Sequence, residues 1–74
     1  MNTLTQLGMR IRYLRKQKGM SQLSLAVEAE INKNYISDLE RGRRNPSLLV
    51  LEKISRALDV SLETLFQGIQ SFED

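Results

Sequence analysis

Seventy-four residues make one small domain at most, and the absence of cysteine and histidine removes the disulfide, the thiolate metal site and the usual base at neutral pH. The net charge of +2 names no partner by itself, but it is unevenly spread. Residues 1–20 hold Arg10, Arg12, Arg15, Lys16 and Lys18 with no acid, and residues 57–74 hold Asp59, Glu63, Glu73 and Asp74 with no base, so that one face suits a polyanion and another avoids it.

Helix 1 is expected from about Thr3 to Gln17. Leu4, Leu7, Ile11 and Leu14 recur at three- and four-residue steps as one apolar stripe, and Lys18-Gly19 closes the helix. Arg12, Arg15 and Lys16 are read as solvated charges off that stripe, able to add attraction toward a phosphate backbone. Met20 plugs the turn that follows. Ser21 caps helix 2, where Leu25 and Ala26 face inward, Ala26 being small because two helices must cross closely there. Leu23 and Val27 form a second apolar pair that the inward face does not need. Ala29-Glu30-Ile31 is a turn, with Ile31 entering the core.

Asn32 caps helix 3, which runs to about Arg41 before Gly42 stops it. Arg43, Arg44 and Asn45 form a polar loop closed by Pro46. Ser47 caps helix 4, in which Leu48, Leu51, Ile54 and Leu58 repeat at three- and four-residue steps. Ser61 caps helix 5, whose apolar residues are Leu62, Leu65 and Phe66 and whose end is Gly68. The tail, Ile69 to Asp74, is apolar only at Ile69 and Phe72. No strand-like alternation or internal repeat interrupts this pattern. The expected fold is all-α: one compact five-helix domain over residues 1–74.

Enzymatic chemistry finds no footing in this chain. Histidine- and cysteine-based arrangements cannot exist, no glycine-rich phosphate loop is present, and Asp38 and Glu40 are ordinary carboxylates on a short helix. No cofactor, metal or small-molecule ligand is expected. Apolar runs fall short of the roughly 18 residues of a membrane span, and the first residues lack the apolar core of a secretory signal. A cytoplasmic protein is the expectation.

The stretch QLSLAVEAEINKNYISDLER, residues 22–41, reads as two short helices joined by a tight turn. With LGMRIRYLRKQKGMSQ before it, GRRNPS after it and LEKISRALDVSLETLF beyond, it resembles the lambda-repressor-like helix-turn-helix family. Within that family it is similar to the controller proteins of restriction–modification systems. The resemblance covers nearly the whole chain. The family usually has glycine where Glu30 stands, because that residue is left-handed, so this position departs from the pattern.

The resemblance implies double-stranded DNA as the partner and helix 3 as its reader. Lys33, Asn34, Ser37 and Asp38 lie opposite Ile36 and Leu39, and short polar groups on such a face meet base edges in the major groove. Lys33 suits guanine and Asn34 adenine. Asp38 repels DNA unless it accepts from a cytosine amino group or orients Lys33 or Arg41. Arg44 resembles an arginine that related controllers send to a base. Backbone contacts are expected from Gln22, Tyr35, Arg43 and Asn45, with Gln22 also bracing the start of helix 3. Tyr35 is either a phosphate or thymine-methyl contact or packs on helix 4. Glu40 is read as structural, paired with an arginine of helix 1 such as Arg10.

A homodimer is expected, with helices 4 and 5 and the tail, about residues 47–72, as its interface. Leu49, Val50, Leu65, Phe66 and Ile69 exceed what a core of this size can bury, and joining them across a two-fold axis spaces two recognition helices about 34 Å apart. The exposed pair Leu23 and Val27 suits a second dimer or RNA polymerase. A protein-interaction module on the same scaffold is the rival reading, which a scattering of Lys33, Arg43 and Arg44 over unrelated surfaces favours.

Overall fold

Each helix begins on a side-chain oxygen. Asn2, Ser21, Asn32, Ser47 and Ser61 accept from the backbone N–H of Thr5, Ser24, Asn34, Val50 and Thr64 at 2.7–3.1 Å. The computed structural model describes residues 2–70. Among these residues it has α1 at Thr3–Gln17, α2 at Gln22–Ala29, α3 at Lys33–Glu40, α4 at Leu48–Ala57 and α5 at Leu62–Leu65. Phe72, Glu73 and Asp74 of the expected tail lie outside the described residues. Within them, no helix is long and apolar enough to cross a membrane.

The first four helices end in one shared motif. The N–H groups of Gly19, Glu30, Gly42 and Asp59 donate to the carbonyls of Lys16, Val27, Leu39 and Arg56, and the N–H of each following residue donates to the carbonyl one residue earlier, that of Arg15, Ala26, Asp38 or Ser55. All four turning residues have φ between 58 and 76°. Glu30, at φ 58° and ψ 45°, therefore takes the left-handed conformation expected of it without the glycine that makes it easy. Asp59 does the same after α4. After three of these turns the next residue is an apolar plug, Met20, Ile31 or Val60, packed on the core. After α3 it is Arg43, which is exposed.

The core comprises Leu7, Ile11, Leu25, Ala26, Ala29, Ile36, Leu39, Leu51, Ile54, Leu58 and Leu65. Burying each of the larger side chains contributes about 1.5–3 kcal/mol. The helix-turn-helix pair α2 and α3 packs between α1 on one side and α4 on the other. Gly8 brings α1 against α3 so closely that a Cβ there would lie 2.5 Å from the Leu39 carbonyl oxygen and 2.6 Å from that of Glu40. The end of α3 is thus set by backbone lying directly on backbone.

Two expectations about apolar residues and one about a helix end are corrected by the fold. Leu65, expected at a dimer interface, is fully buried inside the chain, because α5 turns it under α4 and α1. Leu48, expected on the inner stripe of α4, is 63 % exposed at the first position of that helix. The apolar stripe of α4 starts at Leu51. The helical segment of α5 stops at Leu65 rather than at Gly68, and the chain continues to Gly68 as a turn.

Candidate nucleic-acid interface

The C-terminal end of α3 is fixed by a buried ion pair. Arg15 Nε and Nη2 donate to Glu40 Oε2 and Oε1 at 2.6 and 2.9 Å, and Arg15 Nη1 donates to the Met20 carbonyl at 2.9 Å. Gln22 Nε2 adds a third donor to Glu40, at Oε1 and 3.1 Å. Both charged side chains are nearly sealed from solvent, and every side-chain nitrogen or oxygen buried among the described residues has a partner. One carboxylate thereby ties α3 to α1 and to the start of α2.

This arrangement corrects two expectations. Glu40 is paired as expected, but with Arg15 and not Arg10, and Arg15 is no solvated charge. It follows Leu7 and Ile11 at four-residue steps, a signal present in the sequence, and so shares their inward face beside Gly8. Arg10 lies on the flank toward α5, where its Nε and Nη2 donate to the Thr64 carbonyl at 3.2 and 2.8 Å. Gln22 braces α3 at its last residue rather than at its start as expected, because its amide nitrogen donates to Glu40.

With Ile36 and Leu39 fully buried, α3 can present only its opposite side. Asn34 and Asp38, one turn apart, form the outward row, and Lys33 and Ser37 form a second row along one flank. Lys33 and Asn34 are exposed, while Ser37 and Asp38 are half-buried. Tyr35 occupies the other flank. It is half-buried against the core, and its ring carries the Arg44 guanidinium at 5.1 Å from the centroid. Arg44 Nη2 also lies 3.5 Å from Asp38 Oδ2. The loop after Gly42 thus folds back along α3 and brings Arg44 onto the same surface as Asn34 and Asp38. Arg43 and Asn45 are exposed in that loop.

A second surface of apolar residues lies elsewhere. Leu49 is 69 % exposed at the start of α4, and Phe66 is partly exposed after α5. Val50 and Ile69 are half-buried and pack on the core, so they offer only part of their surface. Leu48 belongs with Leu49 by exposure, although its spacing from Leu51 had placed it on the inner stripe. Leu23 and Val27 are exposed on α2, as their position off the inward face led one to expect.

The sequence model of the helix-turn-helix family matches residues 11–65, from the buried stripe of α1 to the last residue of α5. The chain belongs to this family. Its five-helix architecture is the lambda-repressor-like fold, that of DNA-binding transcriptional regulators rather than enzymes. The crystal structure of the restriction–modification controller protein C.AhdI from Aeromonas hydrophila superposes with a TM-score of 0.84 at 41 % identity, covering 85 % of this chain and 96 % of that one. The controller protein C.Esp1396I, solved as a tetramer with its natural 35-base-pair operator, matches with a TM-score of 0.83 at 34 % identity over 90 % and 88 % of the two chains. The transcriptional regulator SinR of Bacillus subtilis is 48 % identical over 60 residues, 80 % of this chain. That match spans about half of SinR's own length, 54 %.

Proposed function

We propose that this helix-turn-helix protein is a sequence-specific transcriptional regulator that binds an approximately palindromic operator as a homodimer and serves as the controller of a restriction–modification system. The observation that carries the reading is the rigid presentation of α3. Its inner face is buried, its end is tied to α1 and α2 through Glu40, and its outer rows hold base-matching polar groups. Preorganised side chains on a rigid helix are what direct readout in the major groove requires. The similarity to two controller proteins over most of their length favours that class of regulator.

In this reading Lys33, Asn34, Ser37, Asp38 and Arg44 meet bases, and Gln22, Tyr35, Arg43 and Asn45 meet the backbone. Leu48, Leu49 and Phe66, with the exposed parts of Val50 and Ile69, pair across the two-fold axis. Leu65 lies beneath them and shapes the surface without forming it. Leu23 and Val27 remain on α2 for a second dimer or RNA polymerase.

The test combines sedimentation with gel shifts on DNA from upstream of the gene and on random DNA. The expected result is a dimer at tens of micromolar that prefers one upstream segment. Leu49→Asp should dissociate the dimer and weaken operator binding while leaving the fold intact, because Leu49 is exposed. A wild-type monomer whose operator affinity ignores Leu49→Asp rules out the homodimer, and equal affinity for all DNA rules out the regulator. Adjacent reading frames lacking an endonuclease or a methyltransferase rule out the controller.

A further inference from the structure

Asp38 stands in the middle of the surface that this reading gives to DNA. It follows Asn34 by one turn on the outward row, and its carboxylate is 34 % exposed. An unpaired carboxylate there repels phosphate. The structure supplies a partner from beyond the helix: Arg44, whose guanidinium is held by Asp38 at its edge and by the Tyr35 ring at its face. Gly42 makes this reach possible. At φ 76° it reverses the chain, and the Arg43 N–H then bonds the carbonyl of Asp38 itself at 2.9 Å, returning the loop to the same turn of α3.

Resting on the reading of α3 as the DNA-reading helix, we infer that Asp38 is a positioning and specificity residue. It withholds Arg44 from the phosphates of random DNA and releases it only to a guanine edge. The magnitudes decide which exchange succeeds. An exposed ion pair is worth about one-and-a-half- to fivefold in an equilibrium constant, and an exposed arginine over an aromatic ring about two- to fivefold. A single phosphate contact near physiological salt returns roughly fivefold, so leaving Asp38 and Tyr35 for phosphate gains little. A bidentate arginine–guanine contact is worth roughly fivefold to more than a hundredfold, so leaving them for guanine gains. Once vacated, the Asp38 carboxylate tolerates a donor edge such as the cytosine amino group and rejects an acceptor edge, which adds discrimination at the same site.

The experiment is a double-mutant cycle on the full chain, using Asp38→Asn, Arg44→Ala and the pair, with operator and random duplexes across a salt series. Asp38→Asn should tighten random-DNA binding about two- to fivefold per protomer and steepen its log–log salt slope by about one unit per protomer. Operator affinity should change less, so the ratio of operator to random binding should fall. In the Arg44→Ala background the same substitution should give a smaller gain and leave the slope nearly unchanged. In the free protein, Asp38→Asn should also weaken the ring-current shift that Tyr35 imposes on the Arg44 side-chain protons. An equal gain on random DNA with and without Arg44 overturns the inference, since Asp38 is then a bare negative charge. Wild-type protein that binds no DNA overturns the regulatory reading along with it, whereas operator preference with an additive cycle overturns the inference alone.

Discussion

Arg15 and Glu40 meet through two hydrogen bonds of 2.6 and 2.9 Å, one to each carboxylate oxygen, joining the C-terminal half of α1 to the last residue of α3. Removing one partner of a buried pair leaves the other charge without compensation, at about 3–5 kcal/mol. Against the roughly 5–15 kcal/mol that holds a typical domain together, that loss is large. Arg15→Ala should lower the melting temperature by more than about 10 °C, read by circular dichroism. Arg15→Met combined with Glu40→Leu should recover much of the loss, because no buried charge remains. If Arg15→Ala melts within about 2 °C of wild type, Arg15 does not hold α3.

At Gly8 two effects of an added methyl oppose each other. Alanine in a helix interior gains about 1 kcal/mol over glycine. Its Cβ would lie 2.5 Å from one backbone carbonyl and 2.6 Å from the next, and backbone cannot swing aside as a side-chain tip does. Overpacking costs about 1–3 kcal/mol and should win. Gly8→Ala is expected to lower the urea midpoint and, by moving the end of α3, to weaken operator binding further than its stability loss explains. A raised midpoint would mean that α1 has room to shift.

Glu30 holds φ 58° with a side chain that disfavours it, so Glu30→Gly should relieve about 1 kcal/mol, part of which returns as entropy of the unfolded chain. The expected change is a rise of a few degrees at most. Asp59→Gly should gain less, since aspartate tolerates the left-handed region better. A fall of several degrees for Glu30→Gly would show that the carboxylate makes a stabilising interaction. Calorimetry of both variants separates the cases.

Reading and holding should separate by salt. Lys33 lies exposed at the start of α3, so Lys33→Ala should cost about 1–3 kcal/mol on the operator and much less on random DNA. Arg43 is exposed where the other turns place an apolar plug, so Arg43→Ala should weaken both kinds of DNA alike. It should also flatten the log–log salt dependence by roughly one unit for each phosphate left unneutralised. Equal losses on both duplexes for Lys33→Ala would make that lysine a backbone contact and leave Asn34 and Arg44 as readers.

The sequence by itself determined the five helices, four of their caps, the turn at Glu30 and the two faces of α3. These features depend on neighbours one to four residues apart, where capping oxygens and apolar periodicity act directly. The family was legible for the same reason, since its signature is a set of such local spacings. Tertiary structure alone decided which partner each long side chain would take. Helical spacing put Arg15 on the inward row of Leu7 and Ile11 and Arg10 on a flank, but only the close approach permitted by Gly8 set Arg15 beside Glu40, while Arg10 met α5. Leu65 and Leu48 exchanged their expected places because burial depends on which helix lies above a residue, and periodicity along one helix carries no information about that. The Arg44 position was decided in the same way: a reversal at Gly42 set it against Tyr35 and Asp38, residues nine and six positions back in the chain, at distances that only the folded loop fixes.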